Sequence, residues 1–193
     1  SGNLYITGNI TGSSNLGANG DLYIGGNVTA SGGFKATGIS LSNNDAGTSN
    51  TIFGKSAGAS LDAGSNQNVF IGENVSDAAM NDAGENTGVG YEALSALTTG
   101  DENTAIGRGA GAAITTGGLN TAVGKYALND VNTGGNNVAV GRNSGAAITT
   151  SSGSVFIGKD AGAVSVTGNQ NIGIGLTALG GAATTGDNNI AIG

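Results

Sequence analysis

One short phrase returns along most of the chain: a polar residue, two or three small or β-branched residues, then glycine. It reads Asn50-Thr51-Ile52-Phe53-Gly54 and recurs at Asn68 to Gly72, Asn86 to Gly90, Asn103 to Gly107, Asn120 to Gly124, Asn137 to Gly141, Ser154 to Gly158, Asn171 to Gly175 and Asn189 to Gly193. Successive closing glycines are 17 or 18 residues apart. A large apolar residue always precedes the glycine, and a β-branched residue often stands two positions earlier, as in Thr104/Ile106 and Val138/Val140. On a strand these two share a face, so each phrase predicts a short β-strand. The expectation is that Ile106, Val123, Val140, Ile157 and Ile174 are buried in a single file. The residue between them, Gly88, Ala105, Ala122, Ala139 or Gly173, would then form a flat small-residue face open to a neighbouring backbone. Phe53, Phe70 and Phe156 have no clear place in this scheme.

The recurrent Gly54, Gly72, Gly90, Gly107, Gly124, Gly141, Gly158 and Gly175 suit a sharp turn with positive φ, and the leading asparagine suits a turn that its side chain caps. Three and four residues further on come pairs such as Ala93-Leu94, Ala110-Gly111 and Ala127-Leu128, which predict a second short strand. Polar turns such as Thr98-Thr99-Gly100 and Thr115-Thr116-Gly117 then close the coil. The fold class predicted is all-β: a solenoid or β-roll of about nine stacked coils of 17–18 residues over 49–193. At about 4.8 Å per coil the stack is roughly 40 Å long. Residues 1–48 carry another repeat, in which Asn3-Leu4-Tyr5-Ile6 is echoed by Asp21-Leu22-Tyr23-Ile24, and read as an N-terminal shaft or neck.

Composition changes the picture in one respect. With 39 glycines, 4% aromatic residues and no Pro, Cys, Trp or His, the chain can fill only a thin core. A lone stack would leave a flat face uncovered, so a second copy of the chain is expected as partner. The strict period argues against the disorder that glycine and serine often bring. The net charge of −7 argues against a nucleic-acid partner, and no apolar run approaches the roughly 18 residues of a membrane span. Ser1 begins inside a repeat-like segment rather than a signal peptide, which reads as an excised fragment.

Candidate chemistry is sparse. Without His or Cys, Ser-His and Cys-His nucleophiles and His- or Cys-based zinc sites are not available within the chain. The tight acidic groups, Asp101-Glu102 and Asp82/Glu85, lie in polar turns without aromatic neighbours and read as solvated turn charges rather than a glycosidase pair. No calcium-loop spacing occurs. No catalytic, cofactor or metal residues are therefore assigned. The cations are more informative. Five of the six follow a turn glycine directly, and Arg108, Lys125, Arg142 and Lys159 do so in consecutive coils. Stacking predicts a column of like charges that either reaches acids on a neighbouring chain or contacts an anionic receptor group.

The phrase Asn120-Thr121-Ala122-Val123-Gly124-Lys125-Tyr126-Ala127-Leu128 and the turn Thr115-Thr116-Gly117-Gly118 resemble the repeats of bacteriophage tail fibres, which commonly precede a self-cleaving C-terminal chaperone. The resemblance covers residues 50–193, and the phrase Gly2 to Ile10 looks like segments preceding such repeats. The coil phrase is also similar to the head repeats of trimeric autotransporter adhesins. What the resemblance implies is a non-enzymatic, extracellular, homotrimeric fibre segment of a virion that mediates or spaces attachment to a host cell surface, with host surface polysaccharide or another anionic surface group as its partner. The alternatives are a glycan-cleaving fibre with an active site between chains, or an adhesin head on a bacterial surface. Self-cleavage is not carried over, because no chaperone region is present in these residues.

Overall fold

The computed structural model describes residues 47–164 and 167–193. The expected neck at 1–48 lies outside the described residues but for its last two. Nine three-residue strands follow: β1 (Thr51–Phe53), β2 (Val69–Ile71), β3 (Thr87–Val89), β4 (Thr104–Ile106), β5 (Thr121–Val123), β6 (Val138–Val140), β7 (Val155–Ile157), β8 (Ile172–Ile174) and β9 (Ile190–Ile192). They form one parallel sheet in chain order, with Ala105, for example, beside Ala122 and Ala122 beside Ala139. Parallel neighbours need a long connection, and one 17- or 18-residue coil supplies it. The chain is a β-solenoid of about eight turns, with no helix among the described residues. Coil n below starts at the residue preceding strand βn.

The strands carry the burial pattern opposite to the one expected. Their middle residues point inward: Ala105, Ala122, Ala139 and Phe156 are buried. Ile106, Val140 and Ile157 face outward, 42%, 38% and 39% exposed, and Val123 and Ile174 are only partly covered. The small-residue file thus lies inside the coil and the large-residue file outside it. The reason is volume. Each thin coil already receives other side chains, namely Leu94 and Leu128 four residues past the glycine and Leu97, Ile114, Val131 and Ile148 seven past it, all fully buried. Little room remains for the middle strand residue unless those positions are small.

Phe70 and Phe156 obey the same rule. Both are fully buried, and a Cβ on Gly162 would stand 2.5 Å from Cε1 of Phe156. Leucine cannot replace glycine at that fourth position when phenylalanine fills the strand. Phe53 instead belongs to the outer file and is 62% exposed.

The second strand is absent among the described residues. The segment after each glycine is a run of turns in which the second and fourth residues are left-handed, as at Tyr126 (φ 59°) and Leu128 (φ 48°). This alternation aims successive N–H groups in opposite directions along the stack. Tyr126 N–H donates to the Arg108 carbonyl of the coil before, 2.9 Å, and Leu128 N–H to the Ser144 carbonyl of the coil after, 2.9 Å. Backbone pairing between coils therefore continues without extended chain.

At each strand entrance the asparagine does more than cap a turn. Asn120 is 99% covered, as its 1% exposure shows. Its Nδ2 donates to the Gly134 carbonyl at 2.9 Å and to Oδ1 of Asn103 at 3.1 Å, and its own Oδ1 accepts from Asn137 N–H at 3.1 Å. The same ladder runs from Asn50 to Asn137, passes through Ser154 Oγ, and resumes at Asn171 and Asn189. At the other end of each strand φ is between +123° and +144° from Gly54 to Gly175. A Cβ on Gly107 would also lie 2.6 Å from the Gly124 carbonyl oxygen, so both backbone conformation and the next coil demand glycine there.

Asn120→Ala leaves the Asn137 N–H and the Gly134 carbonyl buried without their partner. The expected outcome is a loss of about 2–4 kcal/mol, since each such group costs roughly 1–3 kcal/mol. Urea denaturation of the variant beside the native chain checks it; an unchanged midpoint would remove the ladder as a source of stability.

Candidate functional site

Two surfaces stand out because the packing of a single chain does not account for their side chains. The first is the outer face of the sheet. Alternation puts the first and third residues of every strand there, giving one column of Thr51, Val69, Thr87, Thr104, Thr121, Val138, Val155, Ile172 and Ile190. The column beside it runs Phe53, Ile71, Val89, Ile106, Val123, Val140, Ile157, Ile174 and Ile192. Every member of the second column is apolar and none is buried. Nothing else in the described chain packs over this face as a second layer, since all nine strands belong to the one sheet. Reading the large residues as interior concealed this surface, although the period that locates it is in the sequence.

The second surface borders the first. The residue after each turn glycine is exposed in coils 1–8: Lys55, Glu73, Tyr91, Arg108, Lys125, Arg142, Lys159 and Leu176. Backbone hydrogen bonds from Tyr126 to Arg108, from Asn143 to Lys125 and from Asp160 to Arg142 hold consecutive coils in register here, so the four cations stack as a column. Their mutual repulsion at about 4.8 Å amounts to roughly 1 kcal/mol per neighbouring pair in water, and salt reduces it.

The structure supplies partners that reduce the repulsion further. Arg108 sits 5.4 Å from the ring centre of Tyr91 and 5.8 Å from that of Tyr126, and Lys125 sits 5.0 Å from Tyr126. These are cation–π distances, each contributing about 0.5–1 kcal/mol at exposed sites. Lys159 reaches Oδ2 of Asp160 at 3.5 Å, and Lys55 at the head of the column pairs with Glu73 at 3.1 Å. The column is thus interleaved with aromatic faces and carboxylates of the same chain. Lys35, the sixth cation, lies outside the described residues.

The acids singled out as a glycosidase alternative have structural positions. Asp101 Oδ1 accepts from the Gly84 N–H at 2.8 Å, joining coils at the polar turn. Asp82 offers its N–H to the Asp62 carboxylate at 3.1 Å. Glu85 and Glu102 are exposed left-handed residues just before the ladder asparagines. Among the described residues no group of three or more His, Cys, Asp or Glu side chains could hold a metal ion. No described helix is long and apolar enough to cross a membrane.

Two carboxyls are held below the usual aspartate range. For Asp160 the first cause is the hydrogen bond from Asn143 Nδ2, 2.8 Å, opposed by partial desolvation and reinforced by Lys159 and Arg142. For Asp62 the first cause is the Ser65 hydroxyl, 2.6 Å from Oδ1.

Comparison of the chain with protein-family models, with curated proteins and with solved structures finds no match.

A carboxyl with a depressed folded pKa contributes stability that is present above its unfolded value, about 3.9, and is lost as pH falls through the lower folded value. Asp160→Asn removes that dependence. Its melting temperature should fall less steeply than that of the native chain between about pH 4 and pH 2, measured by circular dichroism at a series of pH values. Parallel curves would show that Asp160 contributes nothing to the acid limb.

Proposed function

We propose that this chain is a non-enzymatic structural segment of an extracellular fibre, of the phage tail fibre type, which assembles as a homotrimer and carries or spaces contacts with a host cell surface. The observation that carries the reading is the unbroken apolar file from Phe53 to Ile192 on the outside of the sheet. Contiguous apolar surface of this length, roughly 40 Å by stacking at about 4.8 Å, favours a protein partner over water. A second and third copy suit it best. Each copy presents the same in-register ladder, so identical faces packed about an axis along the stack repeat one contact nine times. Such a cyclic arrangement points all chains the same way, as a fibre requires. The number three comes from the resemblance to tail fibre and adhesin repeats.

The cation column flanks this face, and its proposed task is to contact anionic groups of the receptor. The expected pattern distinguishes the tasks of the two surfaces. Light scattering at micromolar concentration should give three times the 18.3 kDa chain mass. The double change Ile106→Glu and Val140→Glu should shift it towards smaller species, because buried unpaired carboxylates oppose assembly. A folded native monomer at that concentration defeats the trimer.

Changing Arg108, Lys125, Arg142 and Lys159 together to Gln should instead leave the trimer intact. The melting temperature should change little, because relief of the repulsion is offset by loss of the cation–π contacts and the Lys159–Asp160 pair, and attachment to cells should weaken. Added salt should weaken the native protein in the same way. Attachment that survives all four substitutions unchanged would reduce the column to scaffold surface.

A further inference from the structure

We infer that a groove on the flank of coils 5 to 7 is a binding site for an uncharged sugar, formed by Tyr126, Asn129, Asp130 and Asn143 over a floor of Ala146, Ala147 and Ala163. This open depression of about 270 Å³ is lined by those seven residues. It exists because the repeat changes there. The fifth and sixth residues past the turn glycine are Asn129 and Asp130 in coil 5 but Ala146 and Ala147 in coil 6, and Ala163 holds the fifth place in coil 7. A polar wall therefore ends abruptly on a methyl floor.

The wall is built. The Tyr126 ring lies over Gly109 of the coil before, where a Cβ would stand 2.5 Å from Cδ1, so glycine is what admits the ring. Two Asn–Asp pairs fix the rest: Asn129 Nδ2 donates to Asp130 Oδ1 at 2.6 Å, and Asn143 Nδ2 donates to Asp160 Oδ1 at 2.8 Å. Each bond uses one of the two N–H groups of its amide, so the asparagines keep a second N–H and the carbonyl oxygen, beside the other carboxylate oxygen of Asp130 and the Tyr126 hydroxyl, as groups for a ligand. Amides and a phenol both give and accept hydrogen bonds, whereas a carboxylate only accepts them. The matching ligand both gives and accepts hydrogen bonds, carries no negative charge beside Asp130 and has an apolar face, which describes the adjacent hydroxyls and C–H face of a neutral hexose. The C–H face would rest on the alanine floor with the tyrosine at its edge. Asp130 disfavours an anionic sugar at this place, so the groove and the cation column select different ligands.

The inference gives the proposed attachment a ligand class, but it concerns one chain's flank and does not depend on the trimer. Saturation-transfer NMR of the full chain with neutral methyl hexopyranosides, and with N-acetylneuraminic acid as the anionic control, tests it. Signal is expected for at least one neutral sugar and not for the anion. Tyr126→Ala and, separately, Ala147→Leu should each weaken it at least tenfold. Asp130 occupies the position of Ala147 one coil earlier, so a longer side chain is accommodated there and this variant folds even if the tyrosine change does not. Sedimentation of the same samples reads assembly on its own, so a failed trimer and a failed sugar site give different results. No signal from any neutral sugar, signal that survives both substitutions, or signal that disappears with a chelator of divalent ions would overturn the site.

Discussion

A 17-residue coil with a three-residue strand has almost no interior of its own, so its backbone polar groups must be satisfied by the coils before and after it. That vertical pairing is the constraint from which the other features follow. The buried asparagines make it specific. Asn86, Asn103, Asn120 and Asn137 each join three coils through one amide, accepting the next N–H and donating to the closing turn, at a depth where an unmet group costs roughly 1–3 kcal/mol, whereas the buried Asn171 Nδ2 has no such partner. Coil length can vary only where this pairing permits. Asn120 reaches a carbonyl 14 residues on, whereas Asn50 and Asn68, which open 18-residue coils, reach 15 residues on. The extra residue is therefore taken up before the polar turn, and strand register is unaffected.

The same constraint explains why so many residues other than glycine hold positive φ. The second and fourth positions after the turn glycine and the position before the ladder asparagine are left-handed, for example Tyr126, Leu128 and Leu119. Such a conformation costs about 1–2 kcal/mol for an ordinary side chain. It persists because each of these N–H groups thereby finds a carbonyl in an adjacent coil: Leu119 finds Asp101, Tyr126 finds Arg108 and Leu128 finds Ser144. Local strain is balanced by pairing that no single coil could provide.

In a stack so regular, functional variety is confined to positions that the ladder leaves open. The residue after the glycine is lysine, glutamate, tyrosine, arginine or leucine without disturbing the backbone. The fifth and sixth residues switch from Asn-Asp to Ala-Ala from one coil to the next, and that step forms the groove beside Tyr126. Columns arise where successive coils agree, as in Arg108 to Lys159, and grooves where they differ. The outer sheet face is different again, because its agreement across all nine strands makes one continuous surface.

The period, the strands and their stacking were legible in the sequence, because a phrase such as Asn120 to Gly124 must occupy equivalent places in every coil for glycine and asparagine to recur there. Alternation also told that Val138 and Val140 share one face and Ala139 takes the other. It could not tell which face is the inside. Size pointed to the valines, and size misled, since Leu128, Val131 and Ile148 reach the interior from parts of the coil that carry no strand signal and leave space for alanine alone. Phe156 shows the decision being made locally: it turns inward where Gly162 yields the volume. The second strand failed for a related reason, because alternating left-handed residues pair between coils as well as an extended chain does, and composition does not distinguish the two. The groove was beyond the sequence altogether, as it depends on Tyr126, Asn143 and Ala163 from three coils meeting on one flank, a proximity that only the stacking of the coils creates.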